Sequence, residues 1–443
     1  MNGDRAEPEA AASAAVPPQI HEALPPPAKA PTPTASASSG EGGATRGILG
    51  DWAGIRPALG DIGLTPRAQY IWFPVYNLTG GTESKFRQAG QATFGLTADL
   101  KKIAGVAGGS FQLLITKRHG KNLSTEAGIG LLNYAQAIFG AGTNWRLSQM
   151  FYRQKFGRFD IKIGRMSMGE DFATGECYFE SLYFCGTKPS HTFGGNFYNP
   201  PTSVWATRIR INDKLGYTET GVYELNPVNG RKGFYLGFKG RTGVLLPFER
   251  GFDVKLGGNP KLAGTYRIGF WYDTSRSNDL VYDVDGGFFS MTGEPRRMYR
   301  GRSGIYIVGK QVLRAARADG AGSVQAFFSA VRTDRRTVRV DNLVVGGVIA
   351  SGLIAGRPKD QLGIGIGRVH PNGRLKKLAI ANSLANGTPI PRIGAEYATE
   401  INYSISVTQG LSLRPNLQWY INPGGRKDRA NSLIAGMGVF AIF

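Results

Sequence analysis

The stretch AEYATEINYSISVTQGLSLRPNLQWYIN, residues 395–422, contains two runs in which apolar and polar side chains alternate. In each run the apolar side chains lie mostly at odd-numbered positions, and the polar ones lie mostly at even-numbered positions. A short turn at residues 408–410 separates the runs. Because successive side chains of a strand point to opposite faces of a sheet, the stretch predicts a β-hairpin with one apolar and one polar face. Each run has the length, on the order of ten residues, that a tilted strand needs to cross a bilayer.

A half-buried sheet of a soluble protein would give the same pattern for one hairpin, so the repetition of the pattern decides the fold. Alternation recurs in the segments that begin near Ala92, Phe159, Trp205, Tyr266 and Leu362. Several polar faces carry charges, which a close-packed core would not accept unpaired but a water-filled lumen would. The segments number about sixteen, an even number in the porin range. The sequence therefore predicts an all-β fold, a transmembrane antiparallel β-barrel with long external loops.

The connections between the segments alternate between short and long, which is typical of bacterial outer-membrane barrels. The predicted barrel domain spans residues 47–443, and its first strand begins at Arg67 after a short amphipathic helical segment that ends near Gly63. Within residues 234–257, one strand or two fit the pattern equally well. The short turns lie at residues 158, 213–215 and 408–410, and the long connections at residues 119–144, 167–203, 274–302 and 370–392.

Residues 1–46 differ in composition from the rest of the chain. They are rich in alanine, proline and serine, and they contain no apolar run like the core of a secretion signal. The composition predicts an extended, disordered segment.

The chain is strongly basic, with 53 Lys and Arg against 32 Asp and Glu and a formal net charge of +21. The cations are spread over strands and loops, without the motifs or clustered runs of a nucleic-acid-binding protein. They fit an anionic membrane surface or an anion-friendly pore lining better. The sequence has no run of about 18 apolar residues, which excludes a helical membrane protein.

Two cysteines, Cys177 and Cys185, lie close together in the long connection 167–203. Two cysteines make a structural zinc site only with two further ligands at suitable spacing, and His191 alone is near. We therefore predict no metal site and a disulfide in an oxidising compartment, with free thiols as the alternative.

Enzyme motifs are missing from the sequence, which contains no G-x-S-x-G, H-E-x-x-H or phosphate-binding loop. The run from Gly363 to Gly367 resembles part of a dinucleotide fingerprint, but it lies in an alternating strand. The acidic residues Glu170, Asp171 and Glu176 fit charge-setting in a pore loop better than glycoside hydrolysis. We predict no catalytic residue, no enzyme activity and no cofactor.

Several motifs resemble those of one family, the carbohydrate-selective porins of the OprB type. GDWAGIR at 50–56 resembles that family's opening G-D-W-G-G-x-R segment, with Ala53 in place of a glycine, and KRHG at 117–120 resembles a strand-to-loop motif. KIGRM at 162–166, followed by DFA, resembles the strand that leads into the constriction loop. LRPNLQ at 413–418, with NPGG at 422–425, resembles the penultimate strand. The resemblance implies a sixteen-stranded outer-membrane channel for sugar diffusion, without a cofactor.

The last segment, residues 433–443, carries no charge and ends on Phe443. It resembles the terminal strand by which the barrel assembly machinery recognises outer-membrane proteins. Besides this machinery, the expected partners are small sugars and outer-membrane lipids, including lipopolysaccharide. The expected location is the outer membrane of a Gram-negative bacterium.

A sugar offers hydroxyl groups and an apolar ring face, so a selective constriction should combine charged hydrogen-bonding groups with aromatic surfaces. The predicted pore-lining residues on strands are Arg118, Lys162, Arg165, Arg208, Arg210, Arg267 and Trp271, and those in the loop are Glu170, Asp171 and Glu180. The loop carboxylates would offset part of the positive field. The predicted function is diffusion of small sugars such as glucose, with a modest anion preference. The alternatives are an anion or sugar-acid channel, a general diffusion porin and, less favoured, a basic soluble sugar-binding β protein.

Overall fold

The computed structural model describes residues 47–139, 142–192 and 197–443. In this part of the chain, sixteen antiparallel strands form one closed barrel, in which each strand pairs with its chain neighbours and β1 pairs with β16. The predicted fold is confirmed. The strands are β1 (Leu64–Thr79), β2 (Phe86–Asp99), β3 (Gly109–Gly120), β4 (Trp145–Phe156), β5 (Phe159–Met166), β6 (Val204–Asp213), β7 (Gly216–Leu225), β8 (Gly243–Lys255), β9 (Ala263–Asp283), β10 (Arg296–Arg314), β11 (Val324–Thr333), β12 (Val340–Ser351), β13 (Gln361–Pro371), β14 (Glu396–Thr408), β15 (Leu411–Ile421) and β16 (Ser432–Ile442).

The alternation of the opening hairpin corresponds to the two faces of the barrel wall. Ile401 pairs with Leu417, and both are exposed on the outer surface. Glu400 pairs with Gln418, and both are fully buried on the inner side. The apolar face of the sheet is therefore turned to the membrane, and the polar face is turned to the lumen.

The helices are short and connect strands. They are α1 (Ile55–Asp61), α2 (Leu100–Ala104), α3 (Leu123–Glu126), α4 (Lys188–Thr192), α5 (Pro227–Arg231), α6 (Phe289–Thr292) and α7 (Gly373–Ala385). Helix α1 is the predicted helical segment that precedes the barrel. Among the described residues, no helix combines the length and the apolar character that crossing a bilayer requires.

Short turns and long connections lie at opposite ends of the barrel, as predicted, but several boundaries differ. Strand β1 begins at Leu64 rather than Arg67, and residues 234–257 contain a single strand, β8. The predicted connection 274–302 was too long, because β9 continues to Asp283 and β10 already begins at Arg296. The first residues of this extension, 274–279, are polar on both faces, so they show no alternation. Helix α7 occupies most of the predicted connection 370–392. The predictions for residues 1–46 lie outside the described residues.

Candidate functional site

The long connection between β5 and β6, residues 167–203, folds into the lumen, and we call it the constriction loop. Its Ala173 N–H donates to Glu249 Oε2 on β8 at 2.7 Å. Further along, the Tyr178 hydroxyl donates to the carbonyl oxygen of Gln361 on β13 at 3.0 Å. The Ser181 N–H then donates to Glu400 Oε2 on β14 at 2.8 Å. The loop therefore follows the inner wall from β5 to strands on the opposite side of the barrel.

A stripe of glycines on β13 gives the loop its place against the wall. Gly363, Gly365 and Gly367 all face inward, where the aromatic side chains of the loop pack. A Cβ atom on Gly365 would lie 3.0 Å from Phe184 Cε1, and one on Gly363 would lie 2.5 Å from Tyr178 Cε1. The GIGIG run therefore permits close approach of the loop to the strand.

Asp171 joins the start of the loop to the basic side chains of the wall. Its Oδ1 lies 2.7 Å from Lys162 Nζ on β5 and 3.3 Å from Arg208 Nη2 on β6. Its Oδ2 accepts a hydrogen bond from the Tyr223 hydroxyl at 3.4 Å. Burial raises the pKa of a carboxyl group, but Lys162 and Arg208 hold the pKa of Asp171 at about 2. The loop therefore carries a permanent negative charge at this point.

Further ion pairs extend from Asp171 across the inner wall. Arg208 Nη1 lies 3.1 Å from Asp160 Oδ1 on β5, and Arg153 on β4 pairs with the same carboxylate. Arg210 Nε lies 2.7 Å from Glu219 Oε2 on β7. Opposite charges thus alternate on adjacent strands.

The row ends at Glu249 on β8. Its Oε1 accepts from the Tyr217 hydroxyl at 2.6 Å, and that hydroxyl oxygen accepts from Arg267 Nε at 2.9 Å. Its Oε2 accepts from the Tyr306 hydroxyl at 2.8 Å. Arg267 also donates to the carbonyl oxygen of Thr174 in the constriction loop. We call the complete row the lumen ladder; its members are Arg153, Asp160, Lys162, Asp171, Arg208, Arg210, Glu219, Glu249 and Arg267.

The cations of the lumen ladder differ in exposure. The side chains of Arg210, Arg267, Arg153 and Lys162 are 25%, 19%, 16% and 12% exposed, whereas that of Arg208 is 1% exposed. A solute in the lumen can therefore contact the first four, while Arg208 holds the carboxylates in place.

Aromatic rings lie directly beside the exposed cations. Lys162 Nζ is 5.0 Å from the centroid of the Phe151 ring, and the guanidinium carbon of Arg210 is 4.1 Å from that of Tyr217. The ladder therefore combines hydrogen-bonding groups with ring surfaces, the combination that sugar recognition requires.

At the far end of the loop, the predicted residue Glu180 is turned toward β14 and β15 and is almost completely buried. Its Oε2 accepts from Asn416 Nδ2 at 2.5 Å, and its main-chain N–H donates to Glu400 Oε1 at 3.0 Å. Burial, and next the neighbouring Glu400, raise the pKa of Glu180 well above its ordinary value. A carboxyl group in this position fastens the loop to β14 and β15 and adds little negative charge to the lumen.

Three other predicted residues lie away from the ladder. Arg118 on β3 donates to Gln91 Oε1 at 2.8 Å and to the carbonyl oxygen of Pro200 at 3.4 Å. Arg165 is buried where β5 ends and donates to the carbonyl oxygen of Ser203 at 2.6 Å. Trp271 is fully buried, with its ring 5.7 Å from that of Phe197. All three pack against the constriction loop and hold its returning end.

Glu170, the remaining predicted loop residue, lies in the short helical turn that follows β5 and is partly buried. Its Oε1 accepts a hydrogen bond from Gln149 on β4. Burial raises the pKa of Glu170 to about 7, although Lys162 acts in the opposite direction. This carboxyl group therefore changes its charge near neutral pH.

A disulfide joins Cys177 and Cys185 across the turn in which the loop contacts β13 and β14. The turn carries three packed aromatic rings. The ring centroid of Phe179 lies 5.5 Å from that of Tyr178 and 5.0 Å from that of Phe184. The cross-link therefore closes the segment that packs on the glycine stripe.

The sequence interpretation missed four members of the ladder, Arg153, Asp160, Glu219 and Glu249, and the aromatic residue Tyr217 beside them. The signal for Asp160 and Glu219 was present, because both occupy inward positions of alternating strands. Among the described residues, no cluster of His, Cys, Asp and Glu has the composition to hold a metal ion.

Sixteen strands closed around a lumen that an inward-folded loop narrows define a porin. A family model described as carbohydrate-selective porin, OprB family, matches residues 83–440. The chain belongs to this family of outer-membrane channels, as the motifs in the sequence indicated. Its family and fold indicate a channel rather than an enzyme, located in the outer membrane of a Gram-negative bacterium.

Individual relatives agree with this assignment. The chain is 34% identical over 414 residues to Porin B of Pseudomonas aeruginosa, a match that covers 89% of this chain and 91% of the relative. It is 29% identical over 415 residues to the putative porin QuiX of Acinetobacter baylyi, which covers 88% and 92%. Among solved structures, the high-pH structure of Pseudomonas putida OprB superimposes with a TM-score of 0.86 at 33% identity and covers 90% of this chain and 99% of that one.

Proposed function

We propose that the protein lets small neutral sugars such as glucose diffuse passively through the lumen, and that the lumen ladder selects them. A passing sugar would exchange water for hydrogen bonds to Lys162, Arg210 and Arg267. It would lay its apolar ring face against the half-buried ring of Tyr217. Such contacts are numerous and individually weak, so the solute is also released quickly.

The pairing of charges in the lumen ladder is the observation that carries this proposal. The ladder has five basic side chains, Arg153, Lys162, Arg208, Arg210 and Arg267, against four acidic ones, Asp160, Asp171, Glu219 and Glu249. Each of these basic side chains lies within 4.0 Å of a carboxylate, which weakens the positive field of a strongly basic chain. Paired charges remain good hydrogen-bonding groups for hydroxyls, whereas a strong anion site would need cations without acidic partners.

A sugar-acid or general anion channel is the second candidate. It is favoured by one observation, namely that the partly exposed ladder members, Lys162, Arg153, Arg210 and Arg267, are all cationic. An anionic solute would meet these four groups first, while the acidic members of the ladder are buried behind them.

Ion-current recordings in planar bilayers distinguish the two candidates. Glucose should reduce the current in a saturable way, and Arg267→Ala and Arg210→Ala should each weaken the block several-fold, as for the loss of about 1 kcal/mol of hydrogen bonding. Arg250→Ala is the matched control, because Arg250 lies on the outer face of β8, opposite to Glu249, and pairs with Asp213 at a short turn. A current that is indifferent to glucose and blocked by gluconate would favour the anion channel.

The same proposal includes two partners besides the solute. Outer-membrane lipids, including lipopolysaccharide, would contact the apolar outer face of the strands. The barrel assembly machinery would recognise β16 and the terminal Phe443. Deletion of Phe443 should then slow insertion into the outer membrane, measured as a loss of heat-modifiable protein in membrane fractions.

A further inference from the structure

The outer face of the barrel has a depression over β9 to β12. The strand register places Ile268, Ile307, Ala330 and Val344 side by side in one row across these strands. Ala330, the smallest of the four, lies between larger neighbours, and the depression around this row has a cavity volume of about 910 Å³. Its floor and sides are apolar and lie on the membrane-facing surface.

Basic side chains border the depression on the side of the long connections. Arg332 lies one outward position beyond Ala330 on β11, and its register neighbour on β12 is Asn342. Arg368 on β13 lies beside Val344 and donates to Asn342 Oδ1 at 3.0 Å. Arg335, in the following turn, is 54% exposed and pairs with Asp341 at 3.1 Å. No described residue forms a hydrogen bond or ion pair with the Arg332 guanidinium.

A second pair of cations lies above the depression on the extended hairpin of β9 and β10. Arg276 and Arg300 are directly opposite each other in the register, and both are exposed. Like charges in opposing positions destabilise a sheet unless an anion lies between them. Arg276, Arg300 and Arg332, which have no partner among the described residues, are therefore available to an anion outside the chain.

We infer that this outer face binds a phosphate-bearing glycolipid of the outer leaflet, the chemistry of lipopolysaccharide. An acyl chain would fill the apolar depression, and a phosphate group would lie on Arg332 and Arg368. The order of the two parts matches the leaflet, with apolar surface at the depth of the hydrocarbon and cations at the depth of the headgroups. This inference rests on the outer-membrane location and is independent of sugar selectivity.

A second copy of the chain fits the same face less well. Two-fold pairing would bring the same patch of both chains together, so that Arg332 and Arg368 of each copy would face like charges. A glycolipid supplies the opposite charge instead.

Native mass spectrometry of the full-length protein in detergent tests the inference, with added lipid A as the probe. Lipid A should remain bound, and lipid A without its phosphates should be retained at least about tenfold less. The double variant Arg332→Ala/Arg368→Ala should likewise retain lipid A at least about tenfold less than the parent protein does. Arg87→Ala/Lys121→Ala is the matched control, because it removes the same amount of charge at another place. Arg87, near the start of β2, and Lys121, just after β3, both pair with Glu126. This control variant should bind lipid A like the parent protein.

The substitution Ala330→Phe fills the depression without changing charge, and it should also reduce binding of lipid A. Heat-modifiable migration and an unchanged glucose block would show that each variant is folded. Equal retention of phosphorylated and dephosphorylated lipid A would overturn the inference. Full binding of lipid A by Arg332→Ala/Arg368→Ala and by Ala330→Phe would also overturn it. Dimers that Ala330→Phe dissociates would overturn it as well, because they would assign the face to a second copy of the chain.

Discussion

The guanidinium of Arg56 donates a hydrogen bond from Nη2 to the main-chain oxygen of Phe443 at 2.6 Å and joins residues 387 positions apart. Arg56 also stacks on Trp52, with its guanidinium carbon 5.0 Å from the ring centroid. The GDWAGIR segment therefore holds the end of the chain at the seam where β1 meets β16. The family motif is thus a closure of the barrel rather than a part of the pore.

Replacement of Arg56 by alanine should weaken this closure. The loss of a charge-assisted hydrogen bond should lower the free energy of unfolding by about 2 kcal/mol and leave the glucose block unchanged. Heat-modifiable migration on gels measures the first effect, and bilayer recordings measure the second. Arg56→Lys keeps the charge without the planar donor group and should give a smaller loss. A variant as stable as the parent protein would contradict the closing role.

The membrane-spanning part of the fold could be predicted from the sequence, because a strand between lipid and water must alternate. The same reasoning fails where both faces meet water. In the extension of β9, Ser275, Arg276, Ser277 and Asn278 are all polar, so a strand there looks like a loop. It is held by pairing with β10 and by a contact distant in sequence, the ion pair of Arg374 on α7 with Asp279 at 2.6 Å.

The candidate site could be predicted only in part for a related reason. Four of the five cations of the lumen ladder, all except Arg153, were found because they stand opposite apolar residues on clear strands. Glu249 was missed because Pro247 and Gly251 interrupt the alternation of β8, so that its face could not be assigned. The burial of Arg165 and Glu180 could not be predicted, since it depends on the contact of the loop with other strands.

Gly365 should be sensitive to any side chain, because Phe184 and Phe179 occupy the space that a Cβ would need. Gly365→Leu should push the constriction loop from the wall into the lumen, lower the single-channel conductance and destabilise the barrel by about 1–3 kcal/mol. Gly346→Leu on β12 is the matched control, because Gly346 is on the outer face. Equal conductance of the two variants would show that the glycine stripe does not position the loop.

The disulfide should be found by mass spectrometry of unreduced peptides as a cross-link between Cys177 and Cys185. Replacement of both cysteines by serine should destabilise the closed turn by roughly 2–3 kcal/mol in the chain-entropy account. Faster proteolysis within the constriction loop would report this change. Two thiols that react with an alkylating agent, in protein purified under oxidising conditions, would refute the cross-link.

Asp171 should set the ion preference of the lumen. Asp171→Asn removes a buried carboxylate from Lys162 and Arg208, which should cost about 3 kcal/mol and make the lumen more positive. Reversal potentials in a salt gradient should therefore shift toward anion selectivity. Asp213→Asn, which removes a carboxylate from the pair with Arg250 at a short turn, should leave the reversal potential unchanged. If both variants behave alike, the ladder does not control the field in the pore.

Glu170 should make the ion preference depend on pH. Its pKa of about 7 means that the carboxyl group is charged at pH 8 and neutral at pH 5. The lumen therefore loses a negative charge as the pH falls, and anion selectivity should rise. Glu170→Gln should show, at both pH 5 and pH 8, the high anion selectivity that the parent protein has only at pH 5. Glu176→Gln, which removes a carboxylate from the same loop, should keep the pH-dependent step.

The same shift has a consequence for stability. Because the pKa of Glu170 in the folded protein lies above its ordinary value, its stabilising contribution is complete at low pH and is lost as the pH rises through about 7. Glu170→Gln should therefore raise the free energy of unfolding relative to the parent protein at pH 8 and leave it nearly unchanged at pH 5. A difference between variant and parent protein that is equal at the two pH values would show that Glu170 does not titrate in this range.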